Sequence, residues 1–151
     1  MTEEINKAIA VLQEGKLIIY PTDIGWVIGC DASNELAVQK IVFLKKIQAG
    51  EVLESLVAND AMLEKYVENV PDLAYDLMDL STKPTTIIYD HPKEIANSLL
   101  GLKGCFAVRV ATDKFCQYLI NKFKKPVVAI PANTGSGNTP VSYTHLTLPT
   151  R

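Results

Sequence analysis

Metal and thiol chemistry have little to draw on in this chain of 151 residues, which contains two histidines and three cysteines. His91 and His145 have no ligand partners at a recognised spacing, so no protein metal site is expected. Cys30, Cys105 and Cys116 form no Cys-x-x-Cys pair, and three thiols cannot all pair; reduced cysteines in a cytosolic setting are the expectation. No apolar run reaches the roughly 18 residues of a membrane helix, so no membrane association is expected. The start, Met-Thr-Glu-Glu, lacks the basic and apolar stretches of a secretory signal, which points to a cytoplasmic location. Walker A, GxGxxG, Ser-His-Asp and Cys-His arrangements are all missing.

Charge of one sign is also scarce. The net charge of −2 disfavours nucleic-acid binding by bulk charge and leaves only a local patch. Lys122, Lys124 and Lys125 around Phe123 are the basic run of note, read as the cationic end of a helix, with RNA contact as the alternative. What is present is apolar: a 48% hydrophobic fraction suits one domain with a sizeable core.

Ile5, Ile9 and Leu12 recur at helical spacing and predict a helix over 3–14, stopped by Gly15. Leu17–Tyr20 reads as a strand ending at Pro21, with a second over 27–30. Ser33 or Asn34 caps a helix to about Lys46. A short strand is predicted at 55–58, a helix capped by Asp60, and another entered at Pro71. A strand follows at 85–89, then a helix over 92–100 closed by Gly101, and a strand at 105–110. Asp113 caps a helix to about Lys125, and 126–130 is a last strand. Strands alternating with helices predict a single α/β domain with a twisted, largely parallel or mixed sheet flanked by helices. Residues 141–151, Val-Ser-Tyr-Thr-His-Leu-Thr-Leu-Pro-Thr-Arg, resemble translated linker and are set apart as a non-native or disordered tail.

The chemistry-bearing residues fall in four segments. Pro21-Thr22-Asp23-Ile24-Gly25-Trp26-Val27-Ile28-Gly29 places a hydroxyl and a carboxylate at a strand's carboxyl end, where open α/β sheets take ligands. They suit an amino acid's ammonium and carboxylate, or else a turn satisfying its own backbone. Lys45-Lys46-Ile47 puts cations at a helix end, suited to phosphates or to a solvated last turn. Thr85-Thr86-Ile87-Ile88 is β-rich, and Arg109 interrupts an apolar strand. A buried arginine needs an anionic partner, whether ligand or structural carboxylate. Pro126–Asn133 ends in Pro131-Ala132-Asn133, and Gly135-Ser136-Gly137 forms a glycine-rich turn able to approach a phosphate.

Together these segments resemble the threonylcarbamoyl-AMP synthase family, the YrdC-like domain, over about residues 5–140. Its members carry PTDT-[VI]-[YW]-G-[LI]-G, K-x-R, a P-[LV]-T-I-I strand, G-[IV]-R-[IV] and PV-x-x-[ST]-SAN-x-SG-x-P. This chain departs from them at Ile24, Gly25, Val27, Ile47 and Pro131, and has Glu51 near a usual basic position. The resemblance implies a YrdC-like domain over 1–140, incomplete at its C-terminus. It implies a nucleotidyltransferase joining L-threonine, bicarbonate and ATP into threonylcarbamoyl-AMP with release of pyrophosphate, magnesium accompanying the ATP. A tRNA-modifying transferase complex would be the partner that transfers the group to tRNA, making threonylcarbamoyladenosine. Carried over residue by residue, Lys45 and Arg109 are the catalytic candidates. Thr22, Asp23, Thr86, Ala132 and Asn133 are the substrate- and nucleotide-binding ones. The alternative is a catalytically impaired YrdC-like module that binds double-stranded RNA or serves as a scaffold.

Overall fold

The computed structural model describes residues 2–48, 51–82, 84–101 and 104–132, and the backbone of 144–147. The first helix, α1 (Thr2–Gln13), buries Ile5 and Leu12 and keeps Glu3 and Glu4 in its first turn, where the helix dipole favours them. Gly15, at φ +74°, turns the chain into β1 (Ile18–Thr22), which pairs antiparallel with β2 (Gly25–Gly29). Pro21 does not end β1 as its sequence suggests. It lies inside the strand opposite Trp26, and β1 is an edge of its sheet, where a missing N–H is tolerated.

Helix α2 (Glu35–Leu44) begins at Asn34, whose side-chain oxygen accepts from the Ala37 amide at 3.1 Å. Removing that cap in Asn34→Ala is expected to cost about 1 kcal/mol. Urea unfolding at constant m-value is the check. Strand β3 (Glu54–Val57) is followed by α3 (Asp60–Tyr66) and α4 (Asp72–Leu80). The cap of α3 is Asn59 rather than Asp60, because Asn59 Oδ1 accepts from the Met62 amide at 2.9 Å.

Strand β4 (Thr85–Tyr89) matches its prediction. The helix predicted over 92–100 is reduced to a single 3-10 turn, Asn97–Leu99. Its backbone donors are engaged elsewhere: the Lys93 amide reaches Tyr66 O at 2.8 Å and the Ala96 amide reaches Ala32 O at 3.0 Å. Glu94 is left-handed at φ +56°, which no helix continues through. Strand β5 (Phe106–Val110) leads to α5 (Lys114–Phe123), capped by Asp113 through the Cys116 amide at 3.0 Å. The basic run at its end behaves as a helix terminus. Lys124 closes it at φ +71°, and Lys125 pairs with Asp31 at 3.5 Å.

The last strand predicted, 126–130, is two strands in two sheets, β6 (Val127–Val128) and β7 (Ile130–Pro131). Residues 144–147, from the segment set apart on sequence grounds, form β8 (Thr144–Thr147), parallel to β4. The result is a mixed α/β fold with a three-stranded sheet, β1-β2-β7, and a five-stranded sheet, β6-β3-β5-β4-β8. In the larger sheet β3 and β5 run parallel, while β4 and β6 run antiparallel to their neighbours β5 and β3. The Tyr20 hydroxyl, inside the core, donates to Val128 O at 2.9 Å and fastens the small sheet to the large one.

Candidate active site

The β1–β2 hairpin turns on two residues, Asp23 and Ile24. The Thr22 hydroxyl donates to Gly25 O at 2.7 Å and accepts from the Ile24 amide at 3.2 Å, so this side chain holds the turn itself. Asp23, at the tip, reaches away from the hairpin. Its Oδ1 accepts from Arg109 Nη1 at 2.6 Å, and its Oδ2 accepts from the Thr112 hydroxyl.

Arg109 lies in the middle strand of the five-stranded sheet, with Leu56 and Thr86 opposite it on either side. Residues two apart on a strand share a face, which brings Glu54 onto the same face as Leu56. Glu54 Oε2 accepts from Arg109 Nε at 3.0 Å and from the Thr86 hydroxyl at 2.6 Å. Arg109 is only 1% exposed. Burial alone disfavours its charge, but the carboxylates of Glu54 and Asp23 outweigh that and raise its pKa above the usual arginine value. The guanidinium therefore stays charged and is held from two sides.

Burial and the neighbouring Asp113 push the Cys116 thiol up, so it remains a thiol and donates to Pro21 O at 3.3 Å. Cys30, buried beneath the same sheet and next to Asp31, is pushed up to about 12. Both thiols pack and neither is a nucleophile at neutral pH.

Asp23, Thr86 and Arg109 are thus brought together, and Thr22 shapes the turn that presents Asp23. Ala132 donates its amide to Trp26 O at 3.0 Å at the far strand of the small sheet. Lys45, half-buried, closes α2. Asn133 and Gly135-Ser136-Gly137 lie outside the described residues. Two members of the cluster, Glu54 and Thr112, have no motif to announce them. The signal for Glu54 is an acid opening the apolar run Glu54-Ser55-Leu56-Val57, in a chain whose other core strand holds an arginine.

The departures at 27 and 47 have structural addresses. Val27 is 1% exposed and fills the main core, and Ile47 packs against the apolar cluster around Ile28, Ile41 and Ile130. Glu51 folds back to accept from the Gln48 amide at 3.2 Å.

The chain belongs to the Sua5, YciO and YrdC family, whose pattern, described as "Telomere recombination", matches residues 10–148. The threonylcarbamoyl-AMP synthase of Photobacterium profundum is 31% identical over 135 residues, 87% of this chain and 72% of that protein. The threonylcarbamoyl-AMP synthase of Acinetobacter baumannii (strain AYE) is 32% identical over 149 residues, 93% of this chain and 77% of that one. Among solved structures, P. abyssi Sua5 complexed with L-threonine superposes with a TM-score of 0.83 at 22% identity, over 97% of this chain and 47% of that chain. E. coli YciO superposes at 0.76 and 22% identity, over 96% and 78%. At such identities the structures establish the YrdC-like fold. This chain spans about half the length of the Sua5 chain it matches. Among the described residues, no helix is long and apolar enough to cross a membrane, and no group of three or more His, Cys, Asp or Glu residues is placed to hold a metal ion.

Proposed function

We propose that this protein makes threonylcarbamoyl-AMP and pyrophosphate from L-threonine, bicarbonate and MgATP, the threonine amine and bicarbonate condensing to a carbamate with loss of water. The observation that carries this reading is the relatives' shared name, threonylcarbamoyl-AMP synthase, at 31–32% identity over 87–93% of the chain. The product then serves a transferase that modifies tRNA. Positioning and charge stabilisation around phosphate and carboxylate supply most of such catalysis.

The cluster at the hairpin tip supports the reading because it fixes a carboxylate at a strand end. Asp23, the partly exposed member, offers that carboxylate to an ammonium, and the buried Arg109, paired with both Glu54 and Asp23, holds it in place. Glu54 and Thr86 orient Arg109 from behind. Lys45 neutralises phosphate. With Ile47 committed to the apolar cluster and Glu51 to its own loop, that connection carries fewer cations than the family pattern. The expected consequence is weak ATP binding at otherwise intact geometry.

The test is thermal unfolding with MgATP, with L-threonine and with both, followed by pyrophosphate release. A ligand specific to the folded state must raise its Tm. The expected result is a rise needing both ligands for its full size, pyrophosphate release that requires bicarbonate, and at least tenfold less release from Lys45→Ala. A folded protein whose Tm ignores both ligands and that releases no pyrophosphate would overturn the reading.

A further inference from the structure

The chain divides its charge unevenly. Residues 60–80 hold six acidic side chains and one basic, Lys65, a net of −5, so the rest of a chain of net −2 carries +3. Residues 114–125 hold four lysines and no acid. The acidic stretch forms α3 and α4, and the basic stretch is α5 with its end.

Within α4 the fully buried residue is Ala74. On the opposite arc Asp72, Asp76 and Asp79 are exposed, with Leu73 at 53% and Leu80 at 82% exposure beside them. The ion pairs of the described residues engage other acids and leave these three out. A single exposed leucine is ordinary. Two of them, two turns apart and flanking a row of unpaired carboxylates, form an outward face with both an apolar and a charged component.

The counterpart is on α5. This helix buries Cys116, Leu119, Ile120 and Phe123 and turns Lys114, Tyr118 and Lys122 outward, one turn apart. Tyr118 is 47% exposed and lies midway between the two lysines. Lys122 reaches Asn6 Oδ1 at 2.8 Å, a neutral partner that leaves its charge uncompensated. At a rise of roughly 1.5 Å per residue, the acidic row from 72 to 79 and the basic row from 114 to 122 each span about 10–12 Å. A nucleic acid would suit α5 and be repelled by α4. A basic peptide would suit α4 and leave the lysines without a role. A second copy of the chain uses both faces.

We propose that the acidic face of α4 docks the lysine face of α5 from a second copy of this chain. Asp72, Asp76 and Asp79 meet Lys114 and Lys122 around an apolar contact of Leu73 and Leu80 with Tyr118. The helices have nine and ten residues. One such pairing buries less than the roughly 1,000 Å² of a stable interface, so the contact is weak, needs high protein concentration and dissolves in salt. It joins unlike faces, so one face of each kind stays open on the pair and assembly continues past two copies unless a symmetry closes it.

The test is sedimentation equilibrium of the full chain over a range of concentrations, at ionic strengths of about 0.01 M and 1 M, where the Debye length falls from roughly 30 Å to 3 Å. The expected result is a mass that rises with concentration at low salt and stays that of the monomer at high salt. Asp76→Lys with Asp79→Lys should abolish association, and so should Lys114→Glu with Lys122→Glu. Mixed in equal amounts, the two double variants should associate again, because each then offers the face that the other needs. Leu80→Ala keeps every charge and should weaken association of the parent about tenfold, the size expected for removing one apolar side chain from the contact. These positions are exposed, so all three variants are expected to unfold at the urea midpoint of the parent. A monomer at every concentration in low salt overturns the proposal. Association that survives both double reversals places the interface elsewhere and also overturns it. Association that Leu80→Ala leaves untouched is attraction of bulk charge, with the same consequence. Lys114→Glu with Lys122→Glu that still self-associates but loses binding of a short RNA duplex would give α5 to nucleic acid instead.

Discussion

Replacing Arg109 by alanine is expected to destabilise the protein by about 3–5 kcal/mol, the range for breaking a buried ion pair by removing one partner. Two carboxylates are left behind: Glu54, 7% exposed, and Asp23, which the hairpin tip aims at the same point. Neither can retreat into water without moving a strand or the tip. The variant should therefore unfold at a markedly lower denaturant midpoint, and Arg109→Lys should recover only part of the loss. A lysine offers one compact charge where the guanidinium bonds Glu54 through Nε and Asp23 through Nη1. Chemical denaturation of both variants checks this. A midpoint for Arg109→Ala within a few tenths of a kcal/mol of the parent would mean that the two carboxylates are solvated more freely than their burial implies.

Gly29→Ala is expected to be comparably severe for a steric reason. A Cβ at this position would lie 2.2 Å from Val128 O and 2.6 Å from Tyr20 Cε1. The first contact is a backbone carbonyl in β6 and has nowhere to rotate. Accommodating the methyl would separate β2 from β6 and stretch the Tyr20–Val128 hydrogen bond that joins the sheets. Overpacking of this kind costs about 1–3 kcal/mol and more when backbone must move. A yield of soluble protein well below the parent, with an early urea midpoint, is the expected readout. A parent-like midpoint would mean that the two sheets can part locally without loss.

The helices and most strands were legible in the sequence because their signals are local. Asn34 and Asp113 cap where their side-chain chemistry says they should, and the apolar periodicity of α1 faces the core. The failures arise where a distant partner decides. Residues 92–100 lie between a proline and a glycine that would bound a helix, yet the Lys93 and Ala96 amides are claimed by the carbonyls of Tyr66 and Ala32. The segment 126–131 is one apolar run in sequence, while in the fold its halves serve different sheets. In the site, Asp23 and Arg109 were visible through their motifs. That they meet each other, and that Glu54 and Thr86 complete the cluster, depends on strand register that no local pattern encodes.

The late position of β7 also bears on how the chain is made. The β1–β2 hairpin is complete by Gly29, but its third strand begins at Ile130. A ribosome adding roughly 5–20 residues per second takes on the order of 5–20 s to supply it. Throughout that interval the inner edge of β2 is an open template, bordered by Trp26 and Ile28. The arrival of residues 127–131 then adds β6 to the large sheet and β7 to the small one in a single event.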